Sequence, residues 1–294
     1  MSVVSDQRLF ADFCQFGKAH VATRDVDPMY YVLPRYYRLC GFGRETAAWY
    51  TFLFVAWYHL GSVERVFRLH PRPGPIFNVP AGTVFGLDRR CFRGVGNRAV
   101  LDHVNAAVAA FGRRPYSWSA SVAGAGGEAG WQALFQAFKA LPWGGHWSAY
   151  KWCKLMKNAF GLPIESPRVG QASGGERAGP IPGLVKLTGL PWKRCATDVG
   201  LHRALLAEMN ARGVPYKGLD NLDCGLCNFN GVTIGRYYLG KNIDAQQGAL
   251  KGANPVLWAA RDVIPSDRRG ELNGWAGLRK PLLRAYVDQQ ILIL

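Results

Sequence analysis

The stretch RETAAWYTFLFVAWYHL, Arg44 to Leu60, decides the fold class. It contains no glycine or proline, so nothing in it interrupts the i→i−4 hydrogen-bond ladder, and it is apolar nearly all the way round. A helix of that kind has no face to give to water, so other helices have to surround it. The spacing predicts that it ends at Gly61, the residue type that most easily takes the left-handed C-terminal position. Tyr50, Thr51, Tyr58 and His59 interrupt the run, and it is shorter than the roughly 20 apolar residues a membrane span needs.

Upstream, Asp27 followed by Pro28 reads as an N-cap with proline at the first helical position, opening a segment through Cys40 that Gly41 and Gly43 end, with Pro34 kinking or breaking it. Downstream, PRPGPIFNVPAG (71–82) is a connection. Asn97 can cap a helix to Phe111, stopped by Gly112 and Pro115, and SWSASVAGAGG (117–127) reads as a flexible loop. Helices are expected over Glu128–Leu141, over His146–Phe160 with Gly161 as terminator, and over Cys195–Ala211; two shorter ones follow at Asn242–Leu250 and Val256–Val263. Cys224–Tyr238 carries aromatics and glycines with one short strand. The reading is a mostly α chain with long irregular loops. It forms a single large helical domain over 1–294, or two helical lobes divided near 161–190, where GLPIESPRVGQASGGERAGPIPG begins.

The chain has 294 residues, 49% of them hydrophobic, enough to bury a sizeable core and inconsistent with disorder. Its 36 basic and 20 acidic residues leave a net charge of +16, the footprint of a chain that meets phosphate, so the expected partner is a nucleic acid. The basic residues are scattered rather than gathered on one amphipathic helix, which argues against a membrane surface. The N-terminus lacks the basic and apolar regions of a secretion signal, and seven cysteines spread along the chain do not read as a disulfide framework, so the cytoplasm is the default expectation.

Four groups of residues could carry chemistry. Arg89, Arg90, Arg93 and Arg98 surround the glycines of FRGVGNR, a phosphate cradle or a solvated basic loop. Lys151, Lys154 and Asn158 share one face of the helix His146–Phe160, opposite the core stripe of Trp152, Leu155, Met156, Ala159 and Phe160; that face is an anion site or a hydrated surface. Asp27, near Arg24, Asp25, Tyr30 and Arg35, is a base, a substrate orienter or only a cap. Cys224 and Cys227 form a C-x-x-C that Cys195 and His202 would have to complete as a zinc site, a weak signal, and no metal is assigned. His59 reads as a hydrogen-bonded core histidine.

The succession DVDPMYYVLPRYYRLCGF, WYTFLFVAWYHLGS, LDRRCFRG, WSAYKWCKLMKNAFGLP, LDCGLCNFN and GRYYLGKNID resembles, in that order, the amino acid:DNA transferases of tailed bacteriophages, also called α-glutamyl/putrescinyl thymine pyrophosphorylases. The resemblance runs from about Arg24 to Asp244. It implies a helical fold distantly like the helix-hairpin-helix DNA glycosylases, although the loop of the L-P-G-V-G kind is missing and LTGLP (187–191) and RGVG (93–96) fit it poorly. The activity it implies is thymine hypermodification: transfer of an amino acid onto pyrophosphorylated 5-hydroxymethyluracil in double-stranded phage DNA, with release of pyrophosphate, in the host cytoplasm. A DNA glycosylase or lyase on a related scaffold and a non-enzymatic basic DNA-binding protein are the alternatives.

That reaction sets residue roles. Arg89, Arg90, Arg93, Lys151 and Lys154, with Arg98 beside them, would stabilise the leaving phosphates. Asp27 or Asp223 would be the general base, and Arg35 would hold the carboxylate of the free amino acid. Tyr30, Trp147 or Tyr238 would stack on a flipped base, and Asp244 would orient the site or cap the helix after it. No cofactor is expected, and a divalent ion such as magnesium is not indicated.

Overall fold

In a computed structural model describing residues 3–86, 96–173, 179–250 and 253–264, the regular structure is helical: fourteen α-helices and two short 3-10 helices, with no strand among the described residues. The chain divides into two compact units, one made of Met1–Pro28, Ser166–Ala245 and Ile264–Leu294, the other of Met29–Glu165 and Gln246–Val263.

In the unit that starts at Met29, the organising element is the apolar helix expected from sequence. α1 (Gln7–Ala22) belongs to the other unit; α2 (Met29–Leu39) opens this one, and α3 (Arg44–Trp57) is buried at every residue from Ala47 to Trp57. α4 (Leu60–Leu69), α5 (Gly96–Phe111), α6 (Pro115–Ala123) and α8 (His146–Phe160) all pack on α3, and α7 (Gly127–Lys139) packs between α6 and α8. Phe52 sits at the centre, edge-on to Phe111 at 5.2 Å and Trp152 at 6.1 Å, the tilted geometry that ring quadrupoles favour.

α3 ends earlier than expected. Tyr58, not Gly61, takes the left-handed position (φ 51°), and Gly61 lies inside α4. The amide of Gly86 donates to the Trp57 carbonyl at 2.9 Å, and a Cβ at residue 86 would lie 1.9 Å from the Tyr58 carbonyl oxygen, so this backbone approach is open only to glycine. His59 is the N-cap of α4, its Nδ1 accepting from the Ser62 amide at 3.2 Å, rather than a core histidine within a longer helix.

The expected loop 117–127 is instead mostly α6. Pro115 occupies the start, and the carboxylate of Glu45, from α3, accepts the amides of Tyr116 at 2.8 Å and Ser117 at 3.0 Å. A cap supplied from 71 residues away leaves no local signature. α2 begins at Met29, one residue past the expected start, and continues through Pro34 to Leu39.

The other unit gathers α1, α9 (Ile181–Thr188), α10 (Trp192–Thr197), α11 (Val199–Ala211) and α12 (Leu219–Thr233) around Phe10, Phe13, Leu184, Leu205, Leu226 and Phe229. The helix expected over Cys195–Ala211 is split at Asp198, whose carboxylate caps α11 through the Leu201 amide at 2.9 Å. Cys224–Tyr238 is no strand: most of it is α12, where Gly225 makes room for the buried Tyr216 ring, whose hydroxyl would lie 2.3 Å from a Cβ. α13 (Lys241–Ala249) crosses the boundary at 245/246, and α14 (Pro255–Ala260) packs on α2. No helix among the described residues is long and apolar enough to cross a membrane.

Candidate functional site

α8 has the expected bounds, and Gly161 caps it in the left-handed conformation. The face that carries Lys151 and Lys154 is not hydrated, however. Lys151 is 7% exposed and Lys154 3%.

Three tyrosines enclose them. The Lys151 ammonium lies 5.4 Å from the Tyr30 ring centroid and 5.1 Å from that of Tyr58. The Lys154 ammonium lies 5.6 Å from the same Tyr30 ring and 5.2 Å from Tyr150. Ring faces attract cations by about 0.5–2 kcal/mol per contact, most strongly where water is excluded. Trp147 closes the group, edge-on to Tyr58 at 4.9 Å. Tyr58 reaches this position because its left-handed backbone turns the chain at the end of α3.

Of the expected site residues, Tyr30, Trp147, Lys151 and Lys154 are thus brought together. Tyr58 and Tyr150 join them without having been singled out in the sequence, where nothing distinguishes them from the other core aromatics. Arg35 and Arg98 are exposed on α2 and α5. Arg89, Arg90 and Arg93 lie outside the described residues.

The carboxylates belong to the other unit. Asp27 is 7% exposed and Asp223 5%. Asp223 accepts the amide of Gly170, a left-handed glycine, at 2.6 Å and so fixes the segment that follows Ser166. The Tyr238 hydroxyl donates to Asp244 at 2.7 Å, in the first turn of α13.

Asp25, in the same unit, is fully buried. It receives the Tyr237 hydroxyl, the Gly240 amide at 2.7 Å, the Asn242 amide at 3.0 Å and the Ile243 amide at 3.1 Å. Burial pushes its pKa up to about 7, against the pull of those four donors. It serves as the cap of α13 from far away in sequence.

His202 uses Nδ1 to accept the Val169 amide at 3.3 Å, and its Nε2 lies 2.8 Å from the Cys195 carbonyl, so its ring holds backbone together. Cys224 and Cys227 are partly buried within α12. Among the described residues no group of three or more histidine, cysteine or acidic side chains is placed to hold a metal.

No protein-family model matches the chain, and no curated protein matches it significantly.

Proposed function

We propose that this protein transfers an amino acid onto pyrophosphorylated 5-hydroxymethyluracil in double-stranded phage DNA, and that Lys151 and Lys154 receive the pyrophosphate. The observation that carries the reading is the pair of buried ammonium groups against one tyrosine ring. The tyrosine faces hold both cations in place, and two ammonium groups set against one ring attract a ligand that bears several negative charges. A leaving pyrophosphate is such a ligand, and its charge grows as the bond breaks, so cations positioned beforehand favour the transition state over the ground state.

In the proposed step the amino acid's nucleophile forms a bond to the exocyclic methylene carbon. The carbon–oxygen bond to pyrophosphate breaks with its electron pair, and a general base takes the nucleophile's proton, the role that the sequence offers to Asp27 or Asp223. Trp147, partly exposed, would stack on a base flipped out of the duplex, whereas Tyr30 is buried against the two ammonium groups. The scaffold reading, helix-hairpin-helix glycosylase-like, is supported by α9 and α10, two helices joined by Gly189, Leu190 and Pro191 with Gly189 left-handed. The net charge of +16 supports the DNA partner. Host cytoplasm is the location this reaction requires.

The test is incubation with pyrophosphorylated DNA and amino acids, followed by nucleoside mass spectrometry. A new thymidine adduct with stoichiometric pyrophosphate is the expected result. Abasic sites would move the assignment to a glycosylase or lyase, and tight binding without chemistry would move it to an accessory DNA-binding role.

A further inference from the structure

Within the Met29–Glu165 unit, one large apolar side chain stands almost wholly in water: Phe77 is 83% exposed, while its neighbour Ile76 is fully buried. Leaving a phenylalanine out of the core forgoes the stabilisation of burying it, which single exposed residues often do without consequence. Here the side chain is held outward by its surroundings.

The Asn105 side chain, from α5, clamps the Ile76 peptide on both sides, accepting its amide at 2.8 Å and donating to its carbonyl at 3.0 Å. Further along the same connection, Ser62 Oγ, from α4, donates to the Val84 carbonyl at 2.7 Å and accepts the Val84 amide at 2.9 Å. Arg65 donates to the Gly82 carbonyl at 2.5 Å. Three prolines before Ile76, Pro71, Pro73 and Pro75, and one after it, Pro80, restrict φ along the connection. The connection is therefore pinned at Ile76, Gly82 and Val84, and Phe77 projects from a fixed base.

The charge close to it in the sequence points to the occupant. From Arg65 to Arg98 the sequence carries seven arginines and a single acid, Asp88. Arg65, Arg68 and Arg72 are exposed on α4 and at the start of the connection. An outward-facing aromatic ring on a connection flanked in sequence by arginines matches a polyanion whose interior is a stack of flat apolar rings. Apolar wedges of this sort enter between base pairs, unstack them and kink the duplex.

We propose that Phe77 is an intercalating wedge that enters the DNA base stack while Arg65, Arg68 and Arg72 grip the flanking phosphates. The inference rests on the DNA-modification reading above and adds to it the element that opens the stack. Insertion costs unstacking free energy, which burial of the ring and the phosphate contacts offset. Phe77 acts on the duplex and not on the reacting atoms, so it is a positioning residue.

The probe is a duplex of about two helical turns, labelled with fluorescein at one end and containing 2-aminopurine, a base whose emission rises when it is unstacked. Binding is read by anisotropy in low salt, and 2-aminopurine emission is read at saturating protein, so that brightness refers to the bound duplex. The wild-type chain should raise emission severalfold. Phe77→Ala should bind with affinity within about threefold of wild type, because phosphate contacts dominate affinity, yet leave the bound duplex dark. Phe77→Trp should restore the rise. A bound duplex as bright with Phe77→Ala as with wild type would overturn the wedge, as would a wild-type complex that stays dark. Failure of the wild-type chain to change anisotropy at all is a different result: it sinks the DNA reading itself. Because the side chain is exposed, Phe77→Ala should keep the wild-type circular dichroism and melting temperature.

Discussion

The hydroxyl of Tyr237 donates to the carboxylate of Asp25, joining two buried residues 212 positions apart in the chain. The same carboxylate receives the amides that open α13, so the GRYYLGKNID segment is folded around an acid that lies just beyond the end of α1. One carboxylate with four donors is a fixed point, and its ionisation is coupled to the stability of everything it holds.

That coupling has a definite sign. The folded-state pKa of Asp25, about 7, lies above the ordinary 3.8, so between those values the folded chain binds a proton that the unfolded chain has lost. The stabilisation is complete below about pH 4 and disappears as pH rises through 7. Urea midpoints of the wild-type chain should therefore carry a component that falls across this window, and Asp25→Asn should lack it. Parallel profiles for the two proteins would show that Asp25 titrates as an ordinary carboxylate.

The lysine–tyrosine cluster makes a prediction that needs no turnover. Millimolar pyrophosphate should raise the melting temperature of the wild-type chain, because a ligand that binds only the folded state stabilises it by mass action. Lys151→Met and Lys154→Met keep the apolar stem and remove the charge, and each should weaken pyrophosphate binding by roughly tenfold or more, the scale of one charge-assisted contact. An unchanged thermal shift in the double variant would remove the phosphate assignment from α8.

Glu45 makes a purely structural prediction. Its carboxylate accepts the first two amides of α6 and the Ser117 hydroxyl, at 2.5 Å. Glu45→Ala leaves those donors without their acceptor and should lower unfolding free energy by about 1–3 kcal/mol, as read from chemical denaturation. Glu45→Gln retains an acceptor oxygen and should cost less.

Much of the helical layout was legible and some of the site was not, for reasons that individual residues show. α8 could be bounded because its terminator, Gly161, is local, and α3 could be recognised as buried because its apolarity is continuous. α6 was missed because its cap comes from Glu45, and the end of α3 was misplaced because Gly86 decides it. α9 escaped notice because Pro182 and Gly183 argue against a helix; proline is tolerated in the first turn, and a Cβ at Gly183 would lie 2.6 Å from the Leu226 carbonyl of α12, so the glycine permits close packing. α1 did offer a local signal, Asp6, whose side chain accepts the Leu9 amide. The helical wheel placed Lys151 and Lys154 correctly on one face. It left that face open between an anion site and a hydrated surface because the rings covering it, Tyr30 and Tyr58, come from elsewhere in the chain.

If the charge of +16 serves a DNA backbone, log affinity should fall linearly with log salt. Arg68→Ala and Arg72→Ala should each reduce the magnitude of that slope by about one and weaken binding to all sequences alike. A slope unchanged in both would place the phosphate contacts elsewhere on the protein.

Asp27 separates catalysis from architecture most directly. It is buried, and it precedes α2 without being the residue next to that helix's first turn. Asp27→Asn keeps the volume and one acceptor oxygen, so the melting temperature should stay close to wild type. It removes the proton acceptor, so if Asp27 is the general base, turnover on pyrophosphorylated DNA should fall by roughly two to four orders of magnitude. Asp223→Asn is the contrasting case. Asp223 fixes the Gly170 amide, and exchanging a charge-assisted bond for a neutral one should cost about 1 kcal/mol of stability whether or not the residue is catalytic. The diagnostic is the ratio of rate loss to stability loss in the two variants, with DNA affinity measured alongside. An Asp27→Asn protein that melts and turns over like wild type would end the assignment of Asp27 and leave Asp223 as the base, in which case its rate loss should far exceed what its small destabilisation explains.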